Sequence, residues 1–345
     1  MQLWSKVLLV SVALAVACIP KKTATPAGEA QEPLPAEAQE PPPADLPPAP
    51  PTNGANPFQG AKLFVDPNSQ AAFQSRQAKG EAAKLVKLIA DQPQADWLGE
   101  WTPLVGQEAS KRIKAAEAAG ALRVMVAYNV PNRDCGNYSK GGVKGSAAYK
   151  KWIHQLAAGI GEGRAVIILE PDALGLLKDC LTPADQQERL DMIRWAVRRL
   201  RQNPGTAVYI DAGNANWLPV PEIAQRLTGA GVEEAHGFSL NVSNFVATDK
   251  TVAYGKEVVA ALGMKVGFVV DTSRNGQGEA PEKAWCNPPG RGLGQAPTTN
   301  TGDPLVHAFL WIKRPGESDG TCNGGPGAGQ WFMDYALELA RNARL

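Results

Sequence analysis

Six short apolar runs punctuate the chain, and each one ends on a polar side chain. They span 124–129, 165–172, 207–211, 237–241, 266–271 and 307–313, and close on Asn129, Asp172, Asp211, Asn241, Asp271 and Lys313. Apolar runs of this length predict strands buried on both faces, as a parallel sheet requires. The stretches between them carry apolar residues at helical spacing. Residues 79–90 place Ala82, Leu85, Leu88 and Ile89 on one stripe, and 109–121 repeats the pattern. Another helix is expected from Ser146, with Tyr149, Trp152, Ile153 and Leu156 on one face. Thr182-Pro183 offers an N-cap followed by proline in the first turn, which predicts a helix running to Arg201. Further helices are expected over 220–227, 249–262 and 330–342.

Strand and helix therefore alternate, which points to the α/β class and a barrel of parallel strands. In such a barrel the chemistry gathers at the carboxyl ends of the strands. Polar groups delivered repeatedly to that level predict one large, acid-rich site. Long Gly- and Pro-rich segments, 272–304 and 315–329, follow the last two strands and are expected to help build it.

The first fifth of the chain has a different character. Residues 1–17 carry one cation, Lys6, ahead of an apolar run too short to span a bilayer, and Ala15-Val16-Ala17 forms a cleavage signature. A signal peptide for export is expected, giving a secreted or cell-surface protein. Cys18 follows at once, so the segment also reads as a lipoprotein signal with Cys18 lipidated, although Ala15 stands where leucine is usual. Residues 18–56 are dominated by Pro, Ala and Glu. Such a composition cannot bury enough apolar surface to fold and favours an extended, disordered spacer. The folded domain is then expected over 57–345, acting as a monomer, with any membrane attachment confined to the lipid anchor.

Lys and Arg total 35 against 34 Asp and Glu, a net charge of +1, which gives no electrostatic basis for binding nucleic acid. Three histidines and no Cys-x-x-Cys argue against a zinc site, and neither metal nor cofactor is expected. In an exported chain Cys135, Cys180, Cys286 and Cys322 read as two disulfides, and sequence alone leaves their pairing open.

Asp134 follows the first predicted strand in Pro131-Asn132-Arg133-Asp134-Cys135, where a salt bridge with Arg133 is the structural alternative to chemistry. Proline in Glu170-Pro171-Asp172 stops the strand and is expected to turn Asp172 into the barrel mouth. Asp211, Asp271 and Asp319 complete five acids expected to converge there. Crowded carboxylates repel, and the least solvated keeps its proton near neutral pH. A protonated acid beside ionised ones suits glycoside cleavage, in which one carboxyl protonates the leaving oxygen and another directs water. Trp97, Trp217, Trp285 and Trp311 fall in or beside predicted loops, where indoles could stack on sugar rings. Core packing is the other reading for Trp311, and the expected one for Trp152 and Trp195.

At these residues the chain resembles glycoside hydrolase family 6, the cellulases that comprise endoglucanases and cellobiohydrolases. The likeness covers the whole folded part and rests on NPFQGAKLFVDP, AYNVPNRDCGNYSKGG, ILEPDALG, YIDAGNANW, NVSNF, VDTSRNGQG, WCNPPGRGLG, TTNTGDP and FLWIKRPGESDGT, in that order. The resemblance implies a distorted (β/α) barrel with an incomplete ring of strands, and metal-free, inverting attack on β-1,4-glucosidic bonds. It implies Asp172 as general acid and Asp134 as the acid that raises the donor's pKa and helps to steer water. Asp319 is implied as the proposed base, Asp211 as a further active-site carboxylate, and Tyr128 as the residue that helps distort the sugar. Substrate-gripping positions implied are Trp97, Trp217, Trp285, Lys313 and Glu317, with Asn214 and Asn241 in matching motifs. Family members usually carry His where Asn214 stands, so altered affinity is expected there. The resemblance also implies the pairs Cys135–Cys180 and Cys286–Cys322. Short loops after Cys135 and Asp319 favour an endoglucanase acting on a polysaccharide. A cellobiohydrolase, a mixed-linkage glucanase and a non-catalytic glycan-binding lipoprotein are the alternatives.

Overall fold

The computed structural model describes residues 41–345, so the expected signal peptide and Cys18 lie outside the described residues. One sheet runs through it in chain order, every neighbouring pair parallel. Its strands are β1 (Asp96–Leu98), β2 (Arg123–Ala127), β3 (Ala165–Leu169), β4 (Thr206–Asp211), β5 (Gly237–Leu240), β6 (Gly267–Asp271) and β7 (Val306–Leu310). Six are the predicted runs. β1 is three residues long, too short to register as a pattern. The helices are α1 (Gln70–Gln77), α2 (Gly80–Ala90), α3 (Val105–Ala118), α4 (Gly145–Ile160), α5 (Pro183–Arg201), α6 (Val220–Gly229), α7 (Thr248–Leu262) and α8 (Met333–Arg341). α1 was not legible in sequence, because QAAFQSRQ holds one large apolar residue and that residue, Phe73, faces solvent. α5 starts where its cap predicts, with the Thr182 hydroxyl accepting from the Asp185 N–H at 3.3 Å.

Side chains of successive strand residues point to opposite faces, and here the two faces form two cores. Ile167, Leu169, Val208 and Ile210 pack with Trp152, Ile153, Ile193 and Val197 of the helices. Val166, Ile168, Tyr209 and Val269 pack with Phe58, Tyr128 and Leu310 on the other face, inside the curl of the sheet. Burial on both sides is why these strands read as unbroken apolar runs.

The ring does not close by strand pairing. No ladder joins β1 to β7, and the seam is bridged by isolated contacts instead. Ala95 N donates to Trp311 O at 3.0 Å, and the Trp97 indole donates to Ile312 O at 2.8 Å. Arg314 completes the seam, donating to Ala95 O at 2.8 Å and to Asp96 Oδ1 at 2.9 Å. The fold is a distorted, open α/β barrel.

The spacer expected as far as Asn56 joins the barrel earlier than its composition suggests. Leu46 is buried in the helix-side core. The carbonyls of Ala44, Leu46 and Pro50 accept from Lys150, Arg198 and Arg201 at 3.1, 3.3 and 3.2 Å. Ala49 N donates to Glu234 at 2.7 Å. An extended Pro-rich segment forms no internal hydrogen bonds, so its carbonyls are free for the cations of α4 and α5.

Candidate active site

The loops at the carboxyl ends of the strands surround a cleft of about 850 Å³. Of the five acids expected there, Asp134, Asp172 and Asp319 line it, and two do not. Asp211 lies beneath, 1% exposed, and its Oδ1 accepts from the N–H groups of Asp172 and Gly213 at 3.0 Å each. Its Oδ2 accepts from the Ser239 hydroxyl at 3.1 Å. Asp271 is fully buried and accepts from the N–H groups of Ser243 (3.0 Å), Ser273 (2.9 Å), Ile312 (3.3 Å) and Lys313 (2.9 Å). It ties three loops together and offers nothing to a ligand. Asn241 is likewise buried and spends its amide on Val246 and on Asp271 O. The expectation that Asn241 contacts substrate does not match this placement.

The backbone carries its acids in unusual conformations. Asp134 has φ +57° and Asp172 has φ +68°, left-handed values that cost a non-glycine residue free energy and cluster at functional sites. The strain at Asp172 is countered by its N–H bond to Asp211. Around Asp134, Ser139 N donates to Oδ2 at 2.8 Å. Arg133 does not pair with its neighbour as the structural alternative supposes. It forms a two-pronged bond with Glu100, at 2.5 and 2.9 Å.

Electrostatics separate the three cleft acids. Burial pushes the Asp172 carboxyl well above its ordinary pKa, the negative charges of Asp211, Asp134 and Asp319 add to this, and a hydrogen bond from Tyr128 opposes it. Burial also raises Asp134, against the Ser139 N–H, Asn137 and Arg133. Asp211 is raised to about 7, chiefly by burial. Asp319 moves the other way. Burial alone would raise it, but Arg274 at 2.8 Å and Lys313 at 3.2 Å overcome that and hold it below the usual carboxylate range. One acid is thus kept protonated opposite another kept ionised.

Tyr128, Trp97, Asn214, Trp217, Trp285, Lys313 and Glu317 all line the cleft. Trp97 meets Tyr128 edge to face at 5.2 Å. Trp217 fits because Gly175 has no side chain: a Cβ there would lie 2.6 Å from the indole. Trp285 is 46% exposed and lies 6.0 Å from Tyr138. Trp152, Trp195 and Trp311 are buried, which settles Trp311 as a core residue. Trp101 and Tyr138 also line the cleft and were not singled out in the sequence. The signal for Trp101 was its place four residues after Trp97, but with β1 unpredicted there was no element to set it on. Disulfides join Cys135 to Cys180 and Cys286 to Cys322, so each staples two cleft loops.

A protonated acid, a fixed anion and exposed aromatic faces along one groove define a carbohydrate-cleaving hydrolase on an open α/β barrel. The chain belongs to the glycosyl hydrolases family 6, whose family model matches residues 58–343. It is 45% identical over 284 residues to an endoglucanase A from Cellulomonas fimi, covering 82% of this chain and 61% of that protein. It is 43% identical over 287 residues to an endoglucanase 1 from Streptomyces halstedii, covering 80% and 88% respectively. Among solved structures, an endoglucanase from Mycobacterium tuberculosis, in complex with methyl-cellobiosyl-4-deoxy-4-thio-β-D-cellobioside, superposes with a TM-score of 0.80. It shares 45% identity, over 84% of this chain and 99% of that one.

Proposed function

We propose that the chain is an inverting endo-β-1,4-glucanase that cuts internal bonds of cellulose or a related β-glucan. The observation that carries this reading is the pairing of Asp172, held protonated by burial and by its acidic neighbours, with Asp319, held ionised by Arg274 and Lys313. Asp172 protonates the glycosidic oxygen as the bond breaks. A water attacks the anomeric carbon from the opposite face, and its proton passes to a carboxylate. Asp319 has both oxygens engaged and a depressed pKa, whereas Asp134 has the raised one. Asp134 is therefore the better proton acceptor, and Asp319 supplies fixed negative charge to the cationic sugar of the transition state. Tyr128 lies against the acid, where it can bear on the ring being distorted. To Trp97, Trp217 and Trp285 we assign stacking on the sugar rings, and to Lys313, Glu317 and Asn214, which also line the cleft, contacts with sugar hydroxyl groups.

Half-exposed aromatic side chains along the groove favour binding a chain at its middle, as does the likeness to enzymes named endoglucanases. Export as a secreted or lipid-anchored enzyme belongs to the same reading, supported by the 1–17 segment, Cys18 and the two disulfides. The test is NMR of fresh product from a cello-oligosaccharide, with viscosity followed against reducing ends on carboxymethylcellulose. The α-anomer should appear first, and viscosity should fall early. Early β-anomer would overturn inversion, and reducing ends released without loss of viscosity would favour the cellobiohydrolase alternative.

A further inference from the structure

Trp101 stands at the β1 side of the cleft with half its surface, 50%, exposed. It is not a loosely held surface residue. Its ring rests on the Arg133 guanidinium, 5.0 Å from the ring centre, and the same guanidinium covers Tyr128 at 4.5 Å. Arg133 is itself 4% exposed and immobilised. Besides its two bonds to Glu100, it donates to Ser139 O and Tyr128 O at 2.7 Å each. The turn that carries Trp101 is closed by Thr102 N donating to Gly99 O at 2.9 Å. Gly99 must lack a side chain, because a Cβ would lie 2.6 Å from the Trp101 ring and 2.8 Å from Tyr128 O. A glycine, a buried arginine and the glutamate that fixes that arginine thus hold in place an indole that lines the groove. Nothing in the described protein covers the outward half of the ring.

We propose that Trp101 is an additional glycosyl-stacking position, which lengthens the sugar-binding track of the cleft beyond Trp97. This rests on the glucanase reading above and names the substrate it prefers: longer β-1,4-glucan segments over short ones. A flat indole offers the apolar face of a pyranose ring a dry contact, and its pre-set orientation spares the entropy of ordering it. The cation behind the ring fixes the indole and leaves the groove side free.

The test uses the full chain carrying Asp172→Asn, so that oligomers bind without being cleaved, and adds Trp101→Ala or Trp101→Phe. Calorimetric titration with cellotriose through cellohexaose gives affinity against length. The expected result is unchanged affinity for the shortest oligomers and a loss of about tenfold, or about 1.4 kcal/mol, for the longest. Trp101→Phe should recover part of that loss, with the thermal midpoint unchanged. Equal affinities at every length would overturn the proposal. So would an equal loss at every length, because that pattern means general disturbance of the cleft. Failure of the glucanase reading is told apart by unmutated protein: should it release no reducing ends from cellohexaose, that reading falls whatever Trp101 does.

Discussion

The main-chain N–H of Asp172 donates to the buried carboxyl of Asp211 at 3.0 Å. One bond therefore holds the left-handed backbone at the acid and brings a second carboxyl up beneath it. Among the charges that raise Asp172, Asp211 is the largest single contributor, second only to burial.

Asp211→Asn should keep the Oδ1 bonds and let Ser239 turn its hydroxyl to accept. The repulsion disappears, so Asp172 loses its proton at lower pH than before. The basic limb of the kcat/KM profile should move toward acid, with reduced activity at neutral pH. A basic limb that stays in place would separate Asp211 from the titration of the acid.

Asp172→Asn cannot protonate a leaving oxygen. A fall in kcat of about 10²–10⁴-fold is expected, with KM little changed. Steady-state kinetics on a soluble glucan, with the folded state checked by thermal unfolding, decide it.

Arg274→Met takes the nearer of two cations from a buried carboxylate and leaves Asp319 with Lys313 at 3.2 Å. Arg274 and Asp319 are 0% and 4% exposed in their side chains, and breaking such a pair costs about 3–5 kcal/mol. The sign with pH follows from the depressed Asp319. In the intact pair its contribution is present above the unfolded carboxylate pKa and is lost as pH falls through the lower, folded value. Denaturation of the variant near neutral pH should show the loss, and it should narrow toward acid.

Replacing Cys286 and Cys322 by serine removes a crosslink between residues 36 apart. Chain entropy alone puts the destabilisation at about 4 kcal/mol. Activity should fall further than stability predicts, because Asn287 next door donates to Asp319 at 3.0 Å and accepts from its N–H at 2.8 Å. Comparing kcat well below the unfolding midpoint isolates that effect.

The sheet was legible because its strands are buried on both faces, so each long enough run of Val, Ile and Phe had one reading. β1 and α1 escaped because neither holds a run that burial alone could explain. The site was partly legible. Sequence places polar residues at strand ends, but which way each side chain turns is decided by nearby loops. Asp172 meets the cleft because it comes three residues after β3 ends, past Pro171. Asp211 and Asp271 end their strands directly, and their oxygens are taken up by N–H groups of the loops around them. Arg133 looked like a partner for Asp134 by adjacency, yet the left-handed turn at 134 leaves it to Glu100, which is distant in sequence.

Asp271 carries a warning for anyone scanning the acids of this barrel by mutation. Four amides from segments after β5, β6 and β7 converge on its two oxygens, so its loss would slacken the rim before any sugar arrives. A dead Asp271 variant should melt early, whereas a dead Asp172 variant should keep its heat resistance. Assayed by turnover alone, a keystone and a catalyst would look alike.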